Sequence, residues 1–408
     1  MRKALALSVG FALVACGGKS DGAPDAGAAT VLPSAKGKVL EAAENETTKD
    51  AGSTAKAAAD PTVPIPAGKL VAGSTPGDRG RDPLVEPALW EVELGAYDID
   101  RAPYPNEPGK PPLTGVTREK AGELCKARGR RLCTELEWEH ACKGPGDDPF
   151  AGRAAWDPAC AKTPDSCASG FGVLAMGSAL REWTSSEVAE VKELAPGGAA
   201  VRGASASAAE VDHRCAHRSR ADATASSDDL GFRCCGGAPN AASVPAPAAD
   251  PTFTKVDFGP EKVAELFSTV PQLRKLGGDL KYFDEAAAKE VVARSDAGDP
   301  PKGVTLTTSP LVWSPIPGER ILVLTGLAGD DSFIVAFYKL PDDRYRLAST
   351  MVLHKDKGPV VIGYSGYDGR RTKERSIGSL DWATCWKCPG ESGAITYRED
   401  NRVVVTQE

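Results

Sequence analysis

Eight of the chain's eleven cysteines fall in one stretch: Cys125, Cys133, Cys142, Cys160, Cys167, Cys215, Cys234 and Cys235. An even set of thiols is either a disulfide framework or a metal-binding set, and the compartment decides between them. The N-terminus supplies the compartment. It reads MRKALALSVGFALVACGGKS, with Arg2 and Lys3 followed by an apolar run from Ala4 to Ala15. A run of about a dozen residues is too short for a permanent membrane-spanning helix, which takes about 20, and its order is that of a secretory signal. In an exported chain the eight cysteines are read as bridges. Bridges that close long loops contribute ~2–4 kcal/mol each, so three or four of them decide whether the stretch folds.

Residues 13–16 (LVAC) resemble a bacterial lipobox, which implies that Cys16 is lipidated and becomes the first residue after cleavage. Each buried methylene contributes ~0.8 kcal/mol, so several acyl chains, palmitate among them, hold a protein at a membrane. The expectation is a lipoprotein of the bacterial cell envelope, anchored to a membrane and facing the periplasm or the exterior. Residues 17–62 are mostly Ala, Gly, Ser, Thr, Lys and Glu, a composition that cannot offset ordering entropy, and they read as a disordered tether. Residues 237–251 (GAPNAASVPAPAADP) repeat that character and read as a linker. The chain thus divides into a signal peptide (1–16), a tether (17–62), a first domain (63–236), a linker and a second domain (252–408). A net charge of -7 with no basic stretch gives no footprint for nucleic acid.

Inside the first domain the most structured stretch is GRRLCTELEWEHACKG, residues 129–144. Thr134 and Glu137 have capping-box spacing, so a helix begins at Glu135 and places Trp138, Ala141 and Cys142 on one face. Thr117 caps an earlier segment in which Ala121, Leu124 and Cys125 share a face, and Gly129 ends it. Glu135, Glu137 and Glu139 form an acidic cluster that capping and surface solvation explain.

Further motifs follow in order: residues 66–74 (PAGKLVAGS), 94–101 (LGAYDIDR) and 131–139 (RLCTELEWE), then Phe171–Gly172, Met176 and 182–184 (EWT). Residues 201–205 (VRGAS), 214–216 (RCA) and 230–234 (LGFRC) complete the series. The ordered set resembles the sulfatase-modifying-factor family, the formylglycine-generating-enzyme domain, over roughly residues 63–235. The resemblance implies a compact, irregular α+β fold related to C-type lectins. By analogy with the family's bridges it implies Cys125 with Cys234 and Cys142 with Cys215. Cys133 and Cys235 are additional to the family pattern and are paired with each other, which leaves Cys160 and Cys167 for a local bridge.

Family members that make formylglycine oxidise a cysteine of a sulfatase peptide, using oxygen and copper held by two thiols. Soft thiolates select Cu(I), and carboxylates or hydroxyls do not replace them. The family carries the pair between its RGGS-like motif and the next structural cysteine. Here that interval is residues 204–214 (ASASAAEVDHR), and no cysteine lies between Cys167 and Cys215. Where the family often reads GNVWEW, this chain has SALREW at residues 178–183, so the methyl group of Ala179 replaces the amide associated with calcium, which wants six to eight oxygen ligands. The expectation is therefore no copper, too few identifiable ligands for calcium, no catalytic residue and no metal site.

Ser205, Ser207, Glu210, Asp212, His213 and His217 make a polar cluster in the same place. Ser205, Glu210, Asp212 and His213 are taken as a candidate ligand surface. His213 and His217 have helical ligand spacing, but a solvated loop explains them without a metal.

The second domain opens with an apolar stripe at Val263, Leu266, Phe267, Val270 and Leu273, which predicts a helix over residues 260–276, and residues 284–294 suggest another. From residue 311 the period changes to strands separated by Gly, Asp, Pro and Asn turns, an antiparallel β meander. The fold expected is a separate α+β domain. Cys385 and Cys388 form a CxxC. A redox motif would need a strand–helix context and zinc would need two more ligands, so a tight turn closed by a local disulfide is favoured. Trp382, Trp386 and Tyr397 line either a binding surface or the core.

The leading functional reading is a lipid-anchored protein displaying a non-catalytic domain of this type as a peptide-binding, glycan-binding or structural module. The alternative is a formylglycine-generating-type oxidoreductase. The step to a ligand rests on fold analogy, and fold does not fix function.

Overall fold

Capping and proline signals place the helices, and alternation places the strands. The first module contains β1 (Thr62–Ile65), β2 (Gly68–Ala72), β3 (Trp90–Leu94), β4 (Tyr97–Asp100), α1 (Arg118–Ala127), β5 (Arg131–Leu132), α2 (Glu135–Lys143), α3 (Ala159–Lys162), β6 (Arg181–Val188), β7 (Gly198–Arg202), β8 (Arg218–Ala221), β9 (Leu230–Phe232) and β10 (Cys234–Gly236). The second contains β11 (Phe253–Lys255), α4 (Pro260–Thr269), β12 (Leu280–Tyr282), α5 (Glu285–Ala293), β13 (Thr305–Thr307), β14 (Leu311–Trp313), β15 (Ile321–Ala328), β16 (Asp331–Lys339), β17 (Tyr345–His354), β18 (Val361–Tyr364), β19 (Ser379–Ala383), β20 (Ser392–Tyr397) and β21 (Val403–Gln407). The structure is a computed structural model that describes residues 61–107, 110–192, 194–247, 253–276, 280–294, 305–354, 358–364, 379–385, 392–398 and 400–407. The signal peptide with Cys16, the tether up to residue 60, Trp386 and Cys388 lie outside the described residues. Ala58–Glu408 is one compact unit.

The first module is α+β and irregular. A sheet ordered β1-β4-β10-β5 brings the module's first and last strands within one strand of each other. A second sheet, β8-β7-β6-β9, includes a parallel β6–β9 pair, and β2 and β3 form a separate antiparallel pair. Thr134 accepts from the Glu137 N–H while the Glu137 carboxylate accepts from the Thr134 N–H, so α2 begins at Glu135. Thr117 caps α1 by accepting from the Lys120 N–H. Four bridges tie these pieces together: Cys125–Cys234, Cys133–Cys235, Cys142–Cys215 and Cys160–Cys167. The vicinal pair Cys234 and Cys235 thus anchors both the end of α1 and the approach to α2 onto β10.

In the second module the strands do not stay in one sheet. One sheet runs β11-β14-β15-β16-β17 with β12 also paired to β15, and the other runs β13-β18-β19-β20-β21. The reason lies in β15 and β16, whose residues are nearly all buried. A sheet apolar on both faces needs a cover on both. The second sheet covers one face through Trp313, Ile334, Trp382 and Ile395. Helix α4 covers the other through Val263 and Phe267 against Phe333 and Leu324. Trp382 and Tyr397 are therefore core.

Helix α4 is shorter than its apolar stripe predicts. It stops at Thr269, and Val270 is extended at φ -105° and ψ 112°. Pro271 follows, and proline disfavours a helical conformation in the residue before it. Leu273 reaches the same core from a turn beyond the helix.

Candidate functional site

All nine residues of α2 are buried, although Glu135, Glu137, Glu139, His140 and Lys143 are ionisable. Solvation of the three glutamates, the sequence-based expectation, is overturned. Their i, i+2 spacing sends successive carboxylates to different sides of the helix. Glu135 and Glu139 meet guanidinium groups from distant strands, and Glu137 meets that of Arg131 on the strand just ahead of α2.

Arg218 of β8 grips Glu135 with Nε 2.5 Å from Oε2 and Nη2 2.7 Å from Oε1. Arg131 of β5 forks onto Glu137 at 2.7 and 2.8 Å. Arg202 of β7 lies 2.9 Å from Glu139 and 3.2 Å from Glu135, while Lys143 Nζ lies 2.9 Å from Glu139. Glu182 on β6 accepts from Trp138 Nε1 at 2.9 Å and from Arg233 Nε and Nη2 at 2.6 and 2.7 Å. Paired, hydrogen-bonded forks are the arrangement in which buried charge is tolerable. Burial alone would raise the Glu139 carboxyl, but Lys143 and Arg202 outweigh it and hold it below the usual range. Burial lowers His140, whose ring meets Phe171 edge-on at 5.2 Å.

The segment that should hold a thiol pair, residues 204–214, lies beside this network. His213 is 2% exposed, stacked on Trp156 with ring centroids 3.8 Å apart, and its Nδ1 is 2.7 Å from the Gly177 carbonyl oxygen. It is withdrawn from the ligand surface to which the sequence assigned it, because the partly buried Trp156 covers its face. Glu210 is exposed, and Ser205 and Asp212 are half-buried. Ser205 Oγ is 3.4 Å from Ser207 Oγ, and Asp212 is 3.9 Å from His217 Nδ1. Glu210–His213 is a 3-10 turn, so His213 and His217 share no helix face.

A loop of the first module closes over the segment. Gly80, at φ +72°, approaches so closely that a Cβ there would come 2.6 Å from Val211, so a side chain is excluded. Glu86 accepts both Nη atoms of Arg214 at 2.9 and 3.0 Å. Burial would raise Glu86, but His217, 3.6 Å away, and Arg214 hold it at about 2.

The thiol pair that would hold copper is absent, and the amide associated with calcium is replaced. Each of the eight described cysteines of the first module is bridged, and none falls in residues 204–214. Ala179, at the calcium-associated position, carries a methyl group and no ligand oxygen on its side chain. Cys385 is disulfide-bonded, and its expected partner Cys388 lies outside the described residues.

The same loop enters the second module, a feature that sequence reasoning missed. Arg81 and Glu319 are each 1% exposed and joined by a 2.6 Å contact, Nη1 to Oε2. Arg81 also donates to the Glu86 and Gly318 carbonyl oxygens, and Arg346 reaches Asp78 at 2.6 Å. Glu319 Oε1 has no hydrogen-bond partner among the described residues. Burial raises the Glu319 carboxyl despite Arg81. Beside this junction lies a cavity of about 760 Å³. Its walls come from four separated stretches, so nothing in the sequence announced it.

A family model described as a sulfatase-modifying factor enzyme 1-like domain matches residues 98–237. The match begins within β4, after the PAGKLVAGS motif. Among solved structures the chain is similar to PvdO from Pseudomonas aeruginosa, at 20% identity over 43% of this chain and 93% of that one, TM-score 0.34. It is also similar to Treponema denticola variable protein 1 (17%, 43% and 94%, 0.34) and to CarF (16%, 43% and 97%, 0.34). No curated protein matches the chain.

Proposed function

We propose, from the premise that residues 98–237 are a sulfatase-modifying factor enzyme 1-like domain, that the chain is a lipid-anchored envelope protein in which this domain binds and does not catalyse. One observation carries the reading. The segment from Ala204 to Arg214, where copper-dependent formylglycine formation needs two thiols, has none, and three of its side chains are committed elsewhere. His213 stacks on Trp156, Arg214 is forked onto Glu86, and Val211 sits against Gly80.

Binding needs a stable framework with an accessible recess, and the bridges, the forked ion pairs and the cavity beside the Arg81 loop meet that need. The ligand classes are a peptide or a glycan. Lipidation at Cys16 would hold the module at a membrane.

The test is incubation of the full chain with Cu(I), oxygen and a CxPxR peptide, followed by mass spectrometry of the peptide. The expected result is no aldehyde above a copper-only control. Aldehyde above that control overturns the reading in favour of the oxidoreductase.

A further inference from the structure

The cavity beside the junction has an unusual wall. It is bounded by the loop from Pro76 to Trp90, by Pro245–Pro247, and by turns at 314–320 and 339–343 of the second module. Seven of its lining residues are proline. Proline has no N–H, so these stretches offer carbonyl oxygens and ring C–H surfaces but no main-chain donor at those positions.

Glu319 and Trp90 also line the cavity, the indole half-buried in its wall, while Glu319 Oε1 and Trp90 Nε1 are themselves buried behind that surface. Two of the charges nearby are paired: Glu319 is held by Arg81, and Lys339 Nζ is 3.0 Å from Asp343, while Arg320 stands exposed in the wall.

We infer that this cavity is a site for a neutral saccharide, a ligand class within the binding role proposed above and resting on it. Hydroxyl groups are donors that suit a wall of acceptors, and the C–H face of a sugar ring suits an indole and proline rings. An extended peptide is the poorer fit. Its carbonyls need main-chain donors, which the prolines do not supply. A cationic ligand would meet no uncompensated counter-charge, since Glu319 and Asp343 are paired, and the sulfated probe below tests whether Arg320 draws an anion instead. The volume falls within the roughly 300–1,000 Å³ of small-ligand sites.

The experiment is calorimetric titration of the full chain with neutral trisaccharides of glucose and of N-acetylglucosamine. A sulfated trisaccharide and an acetylated extended peptide serve as competitors for the assignment. Saturable binding of a neutral trisaccharide is expected. Ala246→Arg should abolish it, because Ala246 is exposed in the wall and an arginine there fills the cavity without disturbing the core. Trp90→Phe should weaken binding several-fold and Trp90→Ala tenfold or more, with urea midpoints confirming that each variant is folded.

Binding that survives Ala246→Arg overturns the site. Binding of the peptide or only the sulfated sugar, with no neutral trisaccharide bound, overturns the ligand class and leaves the binding role standing. No binding of any probe overturns the saccharide inference, whereas the non-catalytic reading falls only to aldehyde formation, so the two failures are distinguishable.

Discussion

Helix α2 and strand β16 are both deeply buried, and opposite chemistry buries them. Five of the nine residues of α2 are ionisable, and its glutamates are satisfied by guanidinium groups. The core of β16 is SFIVAFY, enclosed by a sheet on one side and α4 on the other. The first arrangement is directional, because a planar fork accepts a carboxylate in few orientations. The second is volumetric, and any side chain of the right size comes close to fitting. The irregular module, with few long strands to align it, is thus held by the more orientation-specific contacts.

The largest expected effect breaks this comparison or sustains it. Glu182→Ala leaves Arg233 buried without a counter-charge and Trp138 Nε1 without its acceptor, which costs ~3–5 kcal/mol. Leu324→Met, in the apolar core, costs less than about 1.5 kcal/mol. Urea unfolding followed by far-UV circular dichroism measures both. Losses within about 1 kcal/mol of each other would mean that the two cores are equally tolerant, contrary to the contrast drawn between them.

Legibility in the sequence follows the same division. The Thr134–Glu137 capping box was readable because its members are three residues apart. The burial of Glu135 and Glu139 was not, because Arg218 and Arg202 stand 83 and 63 residues away. The missing thiols between Cys167 and Cys215 could be read without any structure, while the loop closing over that segment could not, since Gly80 and Val211 have no local relation. The end of α4 at Thr269 is written in Pro271, whose effect on the preceding residue outweighs the apolar stripe that runs past it. Cysteine content implied bridges, but nothing local joins Cys125 to Cys234 across 109 residues; the pairing came from the family resemblance alone.

The next effect sharpens the role of crosslinks. Replacing Cys142 and Cys215 together by serine opens a bridge of separation 73, and replacing Cys160 and Cys167 opens one of separation 7. Chain entropy sets the first loss at ~4 kcal/mol and the second at ~2.5 kcal/mol. Equal losses would assign the stabilisation to local packing in place of loop closure. Smaller again is Thr134→Ala, at ~1 kcal/mol for the lost cap. A midpoint unchanged by that substitution would show that the arginine forks hold α2 without its cap.

The last comparison rests on sign and not on size, because the two kinds of buried carboxylate differ in the direction of their pH dependence. Glu86 is held at about 2 in the fold, against 4.5 when unperturbed, so it stabilises above about pH 4.5 and that contribution is lost as pH falls toward 2. Glu319 is displaced the other way, chiefly by burial. Its contribution is complete below pH 4.5 and declines as pH rises through its elevated folded value. Thermal midpoints across pH 3 to 8 should therefore carry an acid limb that Glu86→Gln flattens and a slope above pH 4.5 that Glu319→Gln flattens. The slopes are diagnostic even though each substitution also lowers the plateau. Retention of the upper slope in Glu319→Gln would mean that the junction carboxylate is ionised and fully compensated by Arg81.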